Sequence, residues 1–145
     1  MVDPKRAVNI AVRKVQPVQG INYLKKAEQH LALALQALAQ GRWDSAVLLS
    51  VHAGISGADA VCVGTAGLRS ASKVHSDQAK LVRQLLPNDE SAKKASTQLA
   101  ALIDRKNTVE YEARTCTQQD AEVATRHAER IVGWARAILG RNPGG

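Results

Sequence analysis

A chain of 145 residues, 45% hydrophobic and 23% charged, has the make-up of one globular domain, and a domain of this size buries roughly 70% of its unfolded surface. A net charge of +7 and a pI near 9.8 favour an anionic partner, while two unclustered cysteines and four histidines without paired acids exclude a metal site, and no cofactor is expected. Charges sit where a signal peptide needs an apolar stretch, and no apolar run approaches the ~20 residues of a membrane span, so a cytoplasmic chain without membrane contact is expected.

Residues 1–21 read as an extended basic arm. Pro4, Pro17 and Gly20 break helical periodicity, Val8, Ile10 and Val12 alternate, and Lys5, Arg6, Arg13 and Lys14 outnumber the single acid Asp3. Loose docking of such an arm predicts that its removal leaves the melting temperature nearly unchanged.

The rest of the chain is short of aromatic residues, with no Phe, two Trp and two Tyr, and it is rich in Ala. An Ala, Leu and Val core lets helices approach closely, which points to an all-α fold. The spacing predicts a first helix from the N-cap residue Asn22 to Gln40, with a stripe at Leu24, Ala27, Leu31, Leu35 and Leu38 and a stop at Gly41. A second helix, from Asp44 to about Cys62, is apolar or small almost all round and belongs at the centre of a bundle. Gly54 and Gly57 inside it imply close approach by a neighbouring helix backbone. Cys62 and Cys116 are expected as reduced, small core residues.

"GTAGLRSASKVH", residues 64–75, reads as a loop, and it lacks the Lys and the strand–helix setting of a nucleotide-binding loop. Ser76 caps a short third helix with Leu81, Val82, Leu85 and Leu86 on its apolar face, closed by Pro87. The fourth helix starts at Asn88–Ser91 and runs to about Arg114. Thr117 and Asp120 form a capping box for the fifth, which Gly140 and Pro143 end. The architecture predicted is an antiparallel bundle of about five helices over 22–141, with a tail at 142–145.

Several polar residues do not fit that bundle. His52, Ser56 and Asp59 share one line of the second helix, while Lys106 and Glu110 interrupt the apolar stripe of the fourth, with Asn107 beside them and Tyr111 further round. A buried Lys106 needs a carboxylate, and Asp59 or Glu110 can supply one. The group therefore either organises the core or lines a ligand cleft.

"YLKKAEQHLALALQALAQGRWDSAVLLSVHAGISGADAVC", "RSASKVHSDQAKLVRQLL" and "LAALIDRKNTVEYEAR" together resemble the HEPN superfamily of prokaryotic helical bundles, in particular a stand-alone actinobacterial type. The resemblance spans residues 23–139. It implies a homodimer, and for many members a metal-independent RNase of a toxin–antitoxin, defence or stress system, with a cognate antitoxin or nucleotidyltransferase as partner. The family signature is Arg or Arg-Asn followed by His. Lys106-Asn107 stands at that pair here, Arg105 offers another cation one residue earlier, and Tyr111 stands where the His belongs. Tyr, with an ordinary pKa near 10, is a poor base at neutral pH, so catalysis by the family route is in doubt. A literal Arg…His match at Arg69 and His75 lies before the third helix, and His75 corresponds to a His often present there in this subgroup. The expectation is therefore RNA or nucleotide binding, with Arg105, Lys106, Asn107 and Tyr111 as phosphate or base contacts. His52, Asp59, Glu110 and His75 are the supporting polar network. A non-catalytic structural or regulatory dimer is the alternative.

Overall fold

The computed structural model describes residues 10–140, in which four α-helices surround a fifth, apolar one. α1 (Gly20–Ala39) and α2 (Trp43–Ala66) form a hairpin turned at Gly41, whose φ of +73° favours glycine. α3 (Ser76–Leu85) is a short side helix, and α4 (Glu90–Tyr111) and α5 (Gln118–Gly140) complete the bundle. α2 buries residues around most of its circumference, from Val47, Val51 and Ala58 to Ala53, Ala60 and Val61. It packs against α1 and α5 most extensively, and against α3 and α4 as well.

Facing residues set the helix directions. Gly20 meets Gly64 and His30 meets His52, so α1 and α2 are antiparallel. Gly54 meets Leu102, so α4 also opposes α2, while Gly57 against Ile131 and Gly64 against Leu139 make α5 run parallel to it. The four long helices thus go up, down, up and down. α1 and α4 lie on opposite flanks of the α2–α5 pair, with scarcely any packing between them. By length and hydropathy α2 is long and apolar enough to cross a bilayer, which corrects the expectation that no apolar run approaches a membrane span. Yet 72% of that stretch is covered by the other helices, which makes it the core helix of the bundle.

Local details shift the predicted boundaries. α1 begins two residues before Asn22, which bonds Gln19 Oε1 instead of capping. Its buried stripe is Leu24, Ala27, Ala34 and Ala37, because a 3–4 alternation from Leu31 reaches Ala34; Leu35 lies outside the stripe and is exposed. α2 runs on to Ala66 and ends at Gly67 in the left-handed conformation, so the predicted loop 64–75 starts as helix. His75 rather than Ser76 occupies the N-cap of α3. Asp89 caps α4 by accepting the Ala92 N–H at 3.0 Å, and α4 ends at Tyr111 rather than near Arg114. The Thr117–Asp120 capping box forms reciprocally, at 3.1 and 2.9 Å. Cys62 and Cys116 are buried free thiols, and burial pushes both thiol pKa values up, that of Cys116 to about 11.

From Ile10 to Gln16 the arm has no helix, and it is docked. β1 (Val12–Lys14) pairs antiparallel with β2 (Leu68–Ser70), Ile10 is buried in the core, and a 3-10 turn at Pro17–Gln19 leads into α1. Pro4, Lys5, Arg6 and Val8 of the arm, and Pro143 with the rest of the 142–145 tail, lie outside the described residues.

Candidate functional site

Along α2 one line of residues stays uncovered where α1 and α4 diverge. His52 lies on that line and is exposed. Its ring centroid is 5.8 Å from that of His30 on α1. Across the gap, α4 presents Lys106, whose Nζ lies 3.3 Å from Nε2 of His75 and 3.5 Å from the Glu110 carboxylate. An ammonium only donates, so in this contact Nε2 of His75 is the acceptor. Three imidazoles, one ammonium and one carboxylate therefore face a single furrow floored by α2. Partial desolvation, then the charges of His30 and Lys106, hold the His52 pKa below its ordinary value; Glu110 works the other way.

Lys106 is mostly covered, with 16% of its side chain exposed, as a residue on an apolar stripe should be. The stem packs along the helix and the ammonium reaches the furrow, so its charge stays beside acceptors. Glu110 supplies the carboxylate that the sequence reading offered to Lys106. Asp59 does not.

Asp59 is 4% exposed and belongs to a separate network. One oxygen accepts from Arg69 Nε at 3.1 Å and the other from Gln78 Nε2 at 2.7 Å, while Gln78 also donates to the Ile55 carbonyl. Arg69 in turn lies over the Tyr23 ring, 5.3 Å from its centroid. Burial outweighs these partners and raises the Asp59 pKa. The network acts as a two-armed clamp. Arg69 on β2 and Gln78 on α3 are both tied to α2, and His75 lies on the segment between them. Asp59 thus bears on the furrow by fixing the segment that carries His75.

The remaining predicted contacts fall apart in space. Arg105 turns away from the furrow to bond Asp120 at 2.7 Å. Tyr111, the last residue of α4, is 80% exposed, and Asn107 is exposed too; neither side chain has a hydrogen-bond partner among the described residues. Arg69 and His75 do not form one site, because Asp59 holds the guanidinium. His30 was missed by the sequence reading, although its position three residues after Ala27 and four before Ala34 puts it at the edge of the buried stripe of α1. Among the described residues no group of three or more His, Cys, Asp or Glu side chains could hold a metal ion.

The furrow offers cationic and imidazole groups, one ring nitrogen in contact with an ammonium, and a single compensating acid. Such a set can hold a phosphate and accept a proton next to it. Residues 22–138 match the family model described as the HEPN domain, which spans the bundle from the first turn of α1 to the last of α5. No curated protein matches the chain.

Proposed function

The chain belongs to the HEPN family, and on that premise we propose that it binds RNA through the α2 furrow as a homodimer. HEPN domains are nucleotide- and RNA-related and often serve RNase or defence functions. The observation that carries the reading is the Lys106–His75 contact at 3.3 Å, with His52 and His30 alongside. Lys106 neutralises a phosphate, and the imidazoles supply further donors as they protonate. His75 Nε2, the acceptor in the Lys106 contact, would take a proton from a ribose hydroxyl, while Lys106 would stabilise the charge that builds on the phosphorus oxygens. Tyr111 stands too far out on the end of α4 for that role. A second copy docking across the furrow would double its positive charge. A toxin–antitoxin or stress setting, with a cognate antitoxin or nucleotidyltransferase, would follow from the same site.

The structural alternative rests on Lys106 being satisfied by Glu110 and His75 without any ligand. Binding of labelled RNA at several salt concentrations separates the two. Lys106→Met is expected to weaken binding by about tenfold and to reduce the slope of log K against log salt by about 1, as removal of one phosphate contact does. Light scattering should give a dimer for both proteins. A variant that unfolds more easily yet binds RNA as tightly per folded molecule, or a parent that binds none, identifies the cluster as structural.

A further inference from the structure

A second set of cations, without an ion-pair partner among the described residues, lies between α4 and α5. A cavity of about 330 Å³ opens between the first turns of α4 and the last turns of α5. Ser91, Lys94 and Gln98 line it from α4, and Arg130, Trp134 and Ile138 line it from α5. The volume is at the lower end of the roughly 300–1,000 Å³ typical of small-molecule sites. Among the described residues neither Lys94 nor Arg130 has a carboxylate within 4.0 Å, whereas Lys93, Arg105, Lys106, Arg114 and Arg136 do. Asp89 also borders the cavity as its one acid, and one of its carboxylate oxygens caps α4.

The polar capacity of this stripe of α5 is not met within the bundle. His127, Arg130, Trp134 and Ile138 recur at helical spacing, and the buried Nδ1 of His127 and Nε1 of Trp134 have no hydrogen-bond partner. Desolvation, followed by the charges of Arg130, Arg126 and Arg105, lowers the His127 pKa, and of these three arginines Arg130 lines the cavity. A neighbouring hollow of about 390 Å³ lacks this character. Its Arg83 donates to Thr97 and its Lys93 pairs with Glu90.

We propose that the α4–α5 cavity binds the 5′-phosphate of a single nucleotide, with Lys94 and Arg130 on the phosphate and the base against Trp134 and Ile138. Two cations from different helices, a hydroxyl and an amide suit a phosphate monoester, whereas the apolar half of the lining suits a flat ring. A free nucleotide and the phosphorylated end of an RNA strand share this chemistry.

Nitrogen-edited NMR titration of the full chain tests the site, with 5′-AMP, adenosine and inorganic phosphate as probes at millimolar concentration. AMP is expected to shift the Trp134 indole N–H and the amides of Ser91, Lys94 and Gln98. Adenosine and phosphate alone should each bind at least about tenfold more weakly. Lys94→Gln combined with Arg130→Gln, both at exposed positions, should weaken AMP by about tenfold or more, and Lys106→Met should leave it unchanged. A 5′-phosphorylated tetranucleotide that produces the same shifts, with its 5′-hydroxyl form silent, assigns the site to strand ends; AMP binding alone assigns it to the free nucleotide. The proposal is overturned by no shift on this face, by shifts that survive the double substitution, or by adenosine or phosphate binding as well as AMP. Shifts only at His52, His75 and Lys106 overturn it too, and leave the α2 furrow as the single anion site.

Discussion

Lys106 and Asn107 are neighbours in the chain and opposites in the structure. Lys106 and Glu110 share one line of α4, four residues apart, and that line faces the furrow. Asn107 and Tyr111 share the next line, about 100° further round, which faces solvent. Reading the sequence by motif joined all four, because a motif records spacing and not direction. What was legible was the Lys106–Glu110 pair, a local i,i+4 contact. The His75 partner, 31 residues away, and the Asp59–Arg69–Gln78 clamp depend on tertiary packing and left no local trace. Asp59→Ala should cost about 1–3 kcal/mol, measured by chemical denaturation, since Arg69 loses its buried acceptor but remains partly solvated. It should also broaden the NMR signals of His75 by freeing its segment. The His52 shift gives a pH signature. Its folded-state pKa lies below the ordinary value of 6.5, so the unfolded chain takes up the proton first. Stability from this group is complete above that ordinary value and is lost as the pH falls through the folded-state value. Thermal melts from about pH 7 to about pH 5 should therefore fall less steeply in His52→Gln than in the parent.

Glycines mark where the helices come closest, and not all of them do so in the same way. The sequence assigns Gly54 and Gly57 to backbone contact; an added Cβ at Gly54 instead meets the tip of Leu102 at 2.7 Å, while at Gly57 it meets the Ile131 side chain at 3.2 Å and the Ile131 backbone carbonyl at 3.8 Å. Close backbone contact lies at Gly20, where a Cβ would stand 2.9 Å from the Gly64 Cα and 3.0 Å from the Ala60 carbonyl oxygen. A leucine tip can rotate away; a helix backbone cannot. Gly20→Ala should therefore destabilise by about 1–3 kcal/mol. Gly54→Ala should cost less, since helix propensity offsets the crowding by up to about 1 kcal/mol. Equal denaturation midpoints for the two variants would refute this account of the α1–α2 contact. The helices themselves were legible because each carries ten or more residues of periodic pattern. The strands were not: Val12–Lys14 and Leu68–Ser70 have three residues each, too few for alternation to register.

The described part of the N-terminal arm contributes to the whole molecule through the Ile10 side chain and one short ladder. Ile10 is buried in the main core with Leu68, and Val15 N–H bonds the Gly67 carbonyl at 2.9 Å. Ile10→Ala should cost about 2–5 kcal/mol. Removal of residues 1–15 should lower the melting temperature by on the order of 10 °C, against the unchanged value that a loose arm predicts. Calorimetry on the two proteins checks both figures. The β1–β2 pairing has a further consequence for how the chain assembles during synthesis. Its partners are separated by the entire α1–α2 hairpin, so joining them closes a loop of about 54 residues at a cost on the order of 3–4 kcal/mol. Local helix contacts can form as the polypeptide emerges from the ribosome, whereas the strand has nothing to pair with until residue 70 is free. The segment made first among those described is thus among the last to settle, and the amides of Val15 and Ala71 should exchange with solvent well before those in the middle of α2.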